Sequence, residues 1–278
     1  MDGTLLNSQN KITERTITEL QRILDAGHIV VPASGRALTL LPEELKQLES
    51  IRYAILENGA LIWDYREKQA IFQKYIPTNL IQKVLEETAA QKCYVEVFAE
   101  GEAYAEEKIL SWFPTSRFGE NFVSYMKKNH HYVENLQKAM YRIGQAEKIN
   151  VYFEDAEEGE IFRKHWKKQA DLAVTSSIAG NIEFHVMEVH KGNALHQLAE
   201  KLKIPKSRCI AFGDNENDLE MFQEAEIAVA MANAETWIQE KADIVAPDHD
   251  HDGVVKVLCD IQKGLYDYLF IEPFSPQA

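Results

Sequence analysis

Short apolar runs that alternate with amphipathic stretches constrain this fold more than any other feature of the sequence. Residues 28–33, 53–56 and 209–212 are runs of aliphatic and β-branched residues, and they predict strands buried on both faces. Residues 13–27 place Ile and Leu at helical spacing, and we predict a second helix over 37–49. Helices that alternate with buried strands indicate a parallel sheet covered on both faces. The sequence therefore predicts an α/β fold.

The pattern changes in the middle of the chain. Residues 60–64 and 70–74 are typical of a hairpin around a polar turn. Between about residues 80 and 187 the strands alternate apolar and polar residues, which suits a sheet with one wet face. We therefore predict a split core domain, residues 1–79 and 188–278, around an inserted α+β domain, residues 80–187.

The composition argues against several classes of partner. A formal net charge of −14 disfavours nucleic acid, because neutralising phosphates requires a basic surface. Apolar runs stay far below the roughly 20 residues that span a bilayer, and the start of the chain predicts no signal peptide. Cys93, Cys209 and Cys259 stand singly, as in a reducing compartment. We therefore predict a cytoplasmic protein with no nucleic-acid or membrane partner and an unknown oligomeric state.

Four polar clusters lie at or near the ends of the predicted core strands, where open α/β sheets bind ligands. They are Asp2-Gly3-Thr4, Ser34-Gly35-Arg36, Lys191, and the run from Asp214 to Asp218. Together they supply carboxylates for a hard cation, hydroxyl and backbone N–H groups for phosphate oxygens, and a lysine charge. A lysine beside a cation would stabilise charge on a phosphoryl group during its transfer.

These clusters resemble the motifs of the haloacid dehalogenase (HAD) superfamily, and within it the Cof-like phosphatases. The matching stretches are residues 1–6, 34–36, 191–195 and 213–221, with weaker matches at 58–60, 231–234 and 252–254. The resemblance implies a Rossmann-like, HAD-like core with an inserted α+β cap. It also implies Mg²⁺-dependent hydrolysis of a small phosphomonoester, such as a sugar phosphate, through an aspartyl-phosphate intermediate.

The resemblance implies catalytic and metal-binding roles for four residues. Asp2 would be the general acid and base, and its carbonyl oxygen would bind Mg²⁺. Asp214 would bind the metal directly, and Asp218 would support the site. Lys191 would neutralise the charge that develops on the bound phosphoryl group and would orient the nucleophile.

Five further residues are implied in binding phosphate or substrate. Ser34, together with the Gly35 amide, would hold the phosphoryl group, and Asn217 would lie near the phosphate. Thr4 would add a hydroxyl donor beside the metal loop. Arg36 is open to two interpretations, because it could bind substrate or serve as a structural cation on the following segment.

The chain departs from the family at one position. The family's nucleophilic Asp lies two residues before the acid/base, which places it and its apolar strand ahead of Met1. We expect that the sequence is a truncated or mis-started form of a phosphatase. The alternative is a catalytically inactive relative that binds phosphate or a metabolite. The apolar tail at residues 268–271 could pack on the core or a partner, or fill the place of that strand.

Three groups of residues outside these motifs have simpler interpretations. The loop Asp248–Asp252 alternates Asp and His, and we predict that it is solvated rather than bound to a metal. The pair His130-His131 lies in a polar segment and is predicted at the surface. Trp112, Phe113 and Tyr125 could line a substrate pocket, although core packing is favoured.

Overall fold

A computed structural model describes two compact units of this chain. The described residues are 1–108, 124, 127–169, 171–176 and 180–266. The first unit takes its described residues from 1–35, 41–72 and 190–278, and the second from 36–40 and 73–189. None of the helices in these described ranges combines the length and apolarity needed to cross a membrane.

The first unit begins with helix α1, Glu14–Asp25, which Thr13 caps by accepting a hydrogen bond from the Thr16 N–H at 3.1 Å. A three-stranded sheet follows, in the order β1-β2-β3. Its strands are β1 (Tyr53–Leu56), β2 (Leu61–Asp64) and β3 (Gln69–Gln73). Strands β1 and β2 pair antiparallel. Strand β3 lies on the other side of β2, and these two strands correspond to the predicted hairpin at residues 60–64 and 70–74.

Two predicted elements of this region are wrong. Residues 28–33 are extended but form a single bridge, a parallel one between Ala33 and Ile55. Pro32 has no N–H to donate, and the other side of the segment has no neighbouring strand in the described chain, so a regular ladder does not form. The predicted helix over 37–49 is replaced by short 3₁₀ turns at Leu38–Leu40 and Glu43–Gln47, because Pro42 interrupts it.

The second unit is built on a six-stranded sheet in the order β6-β5-β4-β7-β9-β8. Its strands are β4 (Cys93–Ala99), β5 (Glu102–Glu106), β6 (His131–Val133), β7 (Lys148–Phe153), β8 (Ala173–Thr175) and β9 (Asn181–His185). Its helices are α2 (Thr78–Thr88), α3 (Leu136–Ile143) and α4 (Ala156–Lys167). One face of the sheet packs on these helices through buried residues such as Val97, Met140 and Trp166.

The other face of this sheet carries polar side chains that are buried rather than wet. Glu96 is 2% exposed and accepts hydrogen bonds from Asn150 at 2.7 Å and Tyr152 at 3.0 Å. His130 Nε2 lies 2.6 Å from the same carboxylate. The prediction of a surface position is therefore wrong for His130, although His131 is exposed. Burial alone would raise the pKa of Glu96, but these partners hold it below its ordinary value.

The chain then returns to the first unit and forms its parallel sheet, β10-β11-β12. The elements in order are α5 (Lys191–Leu202), β10 (Ile210–Gly213), α6 (Leu219–Glu224), β11 (Ile227–Met231), α7 (Thr236–Gln239), β12 (Ile244–Ala246) and α8 (Gly253–Gln262). The register pairs Gly213 with Ala230 and Val229 with Ile244. Apolar clusters cover both faces of β11, so the predicted α/β class with a parallel core sheet is confirmed.

The loop at residues 248–252 binds the start of the chain. Asp252 accepts hydrogen bonds from the hydroxyls of Thr13 at 2.6 Å and Thr16 at 3.0 Å, which joins α8 to α1. His251 is exposed and contacts Asp248 at 2.6 Å. This loop thus has a structural role, because it holds the start of α1. Trp112, Phe113, Tyr125 and the tail at 268–271 lie outside the described residues.

Candidate active site

The loop at the start of the chain meets the end of β10. Thr4 Oγ1 donates a hydrogen bond to Asp214 Oδ1 at 2.5 Å, and Asp214 directly follows the last residue of β10. Gly3 has a φ of +67°, and a Cβ at this position would overlap Asp214 Oδ2. Only glycine suits both conditions, so the Asp-Gly-Thr sequence is what lets the loop approach this carboxylate closely.

A buried ion pair lies beside this contact. Lys191 Nζ donates to Asp218 Oδ1 at 2.7 Å, and the two side chains are only 4% and 3% exposed. Lys191 is the first residue of α5, and Asp218 lies in the 3₁₀ turn that follows β10. Asp218 Oδ2 accepts from the N–H groups of Asp214 at 3.0 Å and Asn215 at 3.2 Å. Every oxygen of this carboxylate therefore has a partner, as a buried charge requires.

The pKa values of the Asp214 and Asp218 carboxyl groups are shifted in opposite directions. Burial raises the pKa of Asp214, the Thr4 hydroxyl opposes the shift in part, and the charge of Asp218 adds to it. Burial would also raise the pKa of Asp218, but Lys191 and the buried ammonium of Met1 hold it below its ordinary value. Burial and the neighbouring Lys191 lower the pKa of the Met1 ammonium. The site is thus a water-poor cluster of charges in which Asp214 has the less stabilised carboxylate.

The predicted phosphate-binding residues Ser34, Gly35 and Asn217 are brought together by Asn58. The Asn58 N–H donates to the Ser34 carbonyl at 3.1 Å, and Asn58 Oδ1 accepts from Asn217 Nδ2 at 3.1 Å. A Cβ on Gly35 would lie 2.9 Å from Asn58 Oδ1. Asn58 is buried, with a φ of +57° that asparagine tolerates better than most residues.

Sequence reasoning named the stretches 58–60 and 231–234 as family matches but gave neither Asn58 nor Asn233 a role. Asn233 Nδ2 donates to the Gly3 carbonyl at 2.8 Å, and its Oδ1 accepts from the His249 N–H at 3.1 Å. It thereby fixes the backbone of the Asp-Gly-Thr loop. Their positions could have indicated a role at the site, because Asn58 and Asn233 each lie just after an apolar strand.

Two predicted site residues lie apart from these contacts. Asp2 is exposed, and Arg36 belongs to the second unit, where Nη1 donates to the Leu40 carbonyl at 3.2 Å. The Arg36 contact agrees with the structural-cation interpretation. Across the described parts of the chain, no three or more His, Cys, Asp or Glu side chains group together as ligands for a metal ion. The predicted metal role of Asp2 involves its carbonyl oxygen and not its side chain, so the metal set Asp2, Asp214 and Asp218 stays a prediction.

The donor set around Asp214 nevertheless suits a hard cation. Its carboxylate is half-buried with a raised pKa, while Lys191 is engaged by Asp218. A cation beside Asp214 would offset the cost of burying this charge. Carboxylate and carbonyl oxygens, with water and phosphate, are the usual ligands of Mg²⁺.

The chain belongs to the haloacid dehalogenase-like hydrolases, because the model of that family matches residues 1–258. The architecture agrees with a solved haloacid dehalogenase-like hydrolase from B. subtilis. That structure is 27% identical, has a TM-score of 0.78, and aligns over 92% of this chain and 96% of its own. The recognition of the superfamily from its motifs is thus confirmed.

Several curated relatives of the chain are named as phosphatases. The 5-amino-6-(5-phospho-D-ribitylamino)uracil phosphatase YcsE of Bacillus subtilis is 27% identical over 93% of this chain and 92% of its own length. The pyridoxal phosphate phosphatase YbhA of Escherichia coli is 22% identical over 93% and 95%. The predicted enzyme class, a phosphatase-type hydrolase, is confirmed. The roles of individual site residues stay predictions.

Proposed function

We propose that this protein hydrolyses the phosphate monoester of a small metabolite, such as a sugar phosphate, through an aspartyl-phosphate intermediate and with Mg²⁺ as its metal ion. The printed substrates of two relatives, a phosphoribityl compound and pyridoxal phosphate, are both small phosphorylated metabolites. The observation that carries the proposal is the buried pair of Lys191 and Asp218 beside Asp214, at the carboxyl end of a parallel strand.

The residues of this chain would bind the phosphoryl group and move the proton. The Ser34 hydroxyl and the Gly35 N–H would hold two phosphoryl oxygens, and Asn217 would contact a third. Lys191 would stabilise the added negative charge, because a lysine in a water-poor site interacts strongly with it. Asp2 would give a proton to the leaving alcohol and later take one from the attacking water.

The attacking carboxylate would be an Asp two positions before Asp2. One of its oxygens would bond to phosphorus as the ester oxygen leaves with a proton from Asp2. Water would then cleave the acyl phosphate, which releases inorganic phosphate and restores the carboxylate. The sequence motif around Asp2 supports this position, and the carboxylate of Asp218 is already committed to Lys191.

Asp214, the Asp2 carbonyl and Asp218 would hold the metal ion or support it. When bound, Mg²⁺ would neutralise charge on the phosphoryl oxygens.

Two extended chains test the proposal. Both carry an apolar strand ahead of Met1, which ends in Asp in one chain and in Asn in the other, two positions before Asp2. We expect p-nitrophenyl phosphate turnover with Mg²⁺ from the Asp chain only, because Asn cannot form the acyl phosphate. Robust turnover by the Asn chain, or by chain 1–278 itself, would overturn the assigned nucleophile.

The rival function is binding of phosphate or a metabolite without catalysis. The DNA upstream of the Met1 codon distinguishes the two. In-frame codons for an apolar strand that ends in Asp would support the enzyme, and an in-frame stop codon would support the binding protein.

A further inference from the structure

The residue immediately before Lys191 caps the helix on which Lys191 lies. His190 has an extended backbone, and its Nδ1 atom accepts a hydrogen bond from the Asn193 N–H at 3.1 Å. A backbone N–H can only donate, so this ring nitrogen carries a lone pair and the imidazole is neutral in this geometry. His190 thus gives a partner to one of the N–H groups that the first turn of a helix cannot satisfy by itself.

The backbone of His190 lies against the turn that follows β1. A Cβ on Gly59 would lie 2.5 Å from the His190 carbonyl oxygen and 3.1 Å from the Lys191 nitrogen, so any larger side chain at Gly59 would collide with the start of α5. Gly59 also has a φ of +101°, which other residues rarely adopt. The two backbones can approach this closely only because this residue is glycine.

The first turn of α5 is also held on the side of α6. A Cβ on Gly192 would overlap the carbonyl oxygen of Glu220, so the start of α5 packs directly on the backbone of α6. Asp218, the partner of Lys191, lies two residues before Glu220 in the same segment. The backbone around Lys191 therefore has little room to move.

His190 lies between two parts of the candidate site. On one side, Gly59 directly follows Asn58, which contacts the predicted phosphate-binding residues. On the other side, Lys191 is next in the chain and donates to the buried Asp218. A lysine side chain is a flexible four-carbon stem, so the place of its ammonium group depends on where its backbone is fixed.

We propose that His190 is a positioning residue for Lys191. Its cap bond closes the first turn of α5, and its contact with Gly59 fixes that turn relative to Asn58. Without the cap bond, the first turn would fray and Lys191 would lose its fixed place beside Asp218. His190 itself need not touch the substrate, because it acts through Lys191.

A double-mutant cycle with Lys191→Met tests this role without any measurement of activity. His190→Ala removes the cap bond and should lower the folding equilibrium constant of chain 1–278 about fivefold in denaturant unfolding. The same change should have a smaller effect in the Lys191→Met background, because the ion pair that the cap supports is already lost there. Equal effects in the two backgrounds would overturn the proposal.

Thr13→Ala is the matched control, because Thr13 caps α1 in the same unit. Thr13 bonds with Thr16 and Asp252. Within the described residues it thus shares no hydrogen-bond partner with Lys191, and its effect should add to that of Lys191→Met. If Thr13→Ala couples to Lys191→Met as strongly as His190→Ala does, the coupling is not specific and the proposal fails. The same cycle in the extended Asn chain decides the question if a variant of chain 1–278 does not fold.

Two further variants separate capping from other effects of the imidazole. Asn is a good cap residue and caps α3 of this chain, so His190→Asn should restore the stability and the coupling that His190→Ala loses. Gly59→Ala would displace the His190 carbonyl and should couple to Lys191→Met as His190→Ala does. An Asn variant as weak as the Ala variant, or a Gly59→Ala effect that simply adds to that of Lys191→Met, would contradict the proposed role.

The consequence for the reaction rests on the proposed function and can fail separately. In the extended Asp chain, His190→Ala should lower kcat for p-nitrophenyl phosphate about tenfold with little change in KM, because Lys191 would act on charge that develops in the transition state. His190→Asn should restore kcat. If the extended parent has no turnover but the cycle shows coupling, the proposed function fails and the positioning role stands. Unchanged kcat for His190→Ala in an active chain would overturn the positioning role.

Discussion

The sheet of the second unit is continuous over six strands, whereas the first unit holds two separate three-stranded sheets and the extended residues 28–33. Strands β4 and β7 each have a neighbour on both sides, and helices cover their apolar face. Within the described residues, β10 pairs with β11 over four residues, whereas residues 28–33 contact β1 through a single bridge. Apolar and β-branched composition alone therefore does not produce a regular strand.

Adding a strand to the first unit should have the largest effect on this contrast. An apolar extension ahead of Met1 that ends in Asn would add this strand without supplying the proposed nucleophile. Burying several apolar side chains, at about 1.5–3 kcal/mol each, should stabilise the first unit by more than about 5 kcal/mol. We expect hydrogen exchange at β10 amides to slow strongly, while exchange at β4 amides stays unchanged.

An extension of equal length made of Gly and Ser is the control, and it should leave exchange at β10 as it is in chain 1–278. Equal protection by both extensions would show that the contrast between the two sheets has another cause.

Removing the buried cation of the first unit should have the next largest effect. Lys191→Met leaves the Asp218 charge buried and unpaired, which costs about 3–5 kcal/mol of unfolding free energy. Lys201→Met on the exposed side of α5 is the matched control and should cost less than about 0.5 kcal/mol. Denaturant unfolding of the extended chain measures both. Similar losses for the two variants would refute a buried pair.

The buried carboxylate of the second unit should have a smaller, pH-dependent effect. Glu96→Gln should cost about 1–3 kcal/mol at neutral pH, because its hydrogen bonds lose a charged acceptor. The pKa of Glu96 lies below its ordinary value of 4.5, so its contribution is present above that pH and lost as the pH falls through the lower folded value.

Unfolding between neutral pH and the acid range checks this, with exposed Glu134→Gln as the control. The cost of Glu96→Gln should shrink as the solution is acidified below pH 4.5. A cost that grows with acidification would contradict the sign of the shift.

A pair of glycine variants should give the smallest effects. Gly144 has a φ of +79° and no atom within 4 Å of an added Cβ, so Gly144→Ala isolates backbone strain of about 1–2 kcal/mol. Gly3→Ala adds the overlap with Asp214 to that strain. We expect it to lose more stability and, in the extended chain, to lower turnover, whereas Gly144→Ala should leave turnover unchanged. Equal effects on both measures would show that the Gly3 contact has no consequence.

Local sequence was sufficient where short-range physics decides the structure. The apolar run before Gly213 and the acidic cluster after it predict a buried strand and a polar turn, and β10 ends where expected. Thr13 caps α1 as its hydroxyl and position predict. Lys191 begins α5, and Asp214 directly follows β10, so their positions in these elements bring the clusters around them together.

Long-range partners decided the rest, and no local pattern contains them. His130 is buried because Glu96, 34 residues earlier, accepts its hydrogen bond. The Asn58 side chain accepts a hydrogen bond from Asn217, which is 159 residues away in the sequence. Residues 28–33 have the composition of a strand, but strand formation depends on neighbours that their own composition does not specify.

The hydrogen bonds from Thr13 and Thr16 to Asp252 join helices at opposite ends of the first unit, at sequence separations of 239 and 236. During synthesis, the ribosome must reach Asp252 before α1 can meet this partner. The second unit lies almost entirely within residues 73–189 and emerges earlier. Because compact units fold as they become complete, the inserted unit would fold before residues 1–35 can pack on their partners in residues 190–278. Residues 1–35 are thus made before the inserted unit but fold after it.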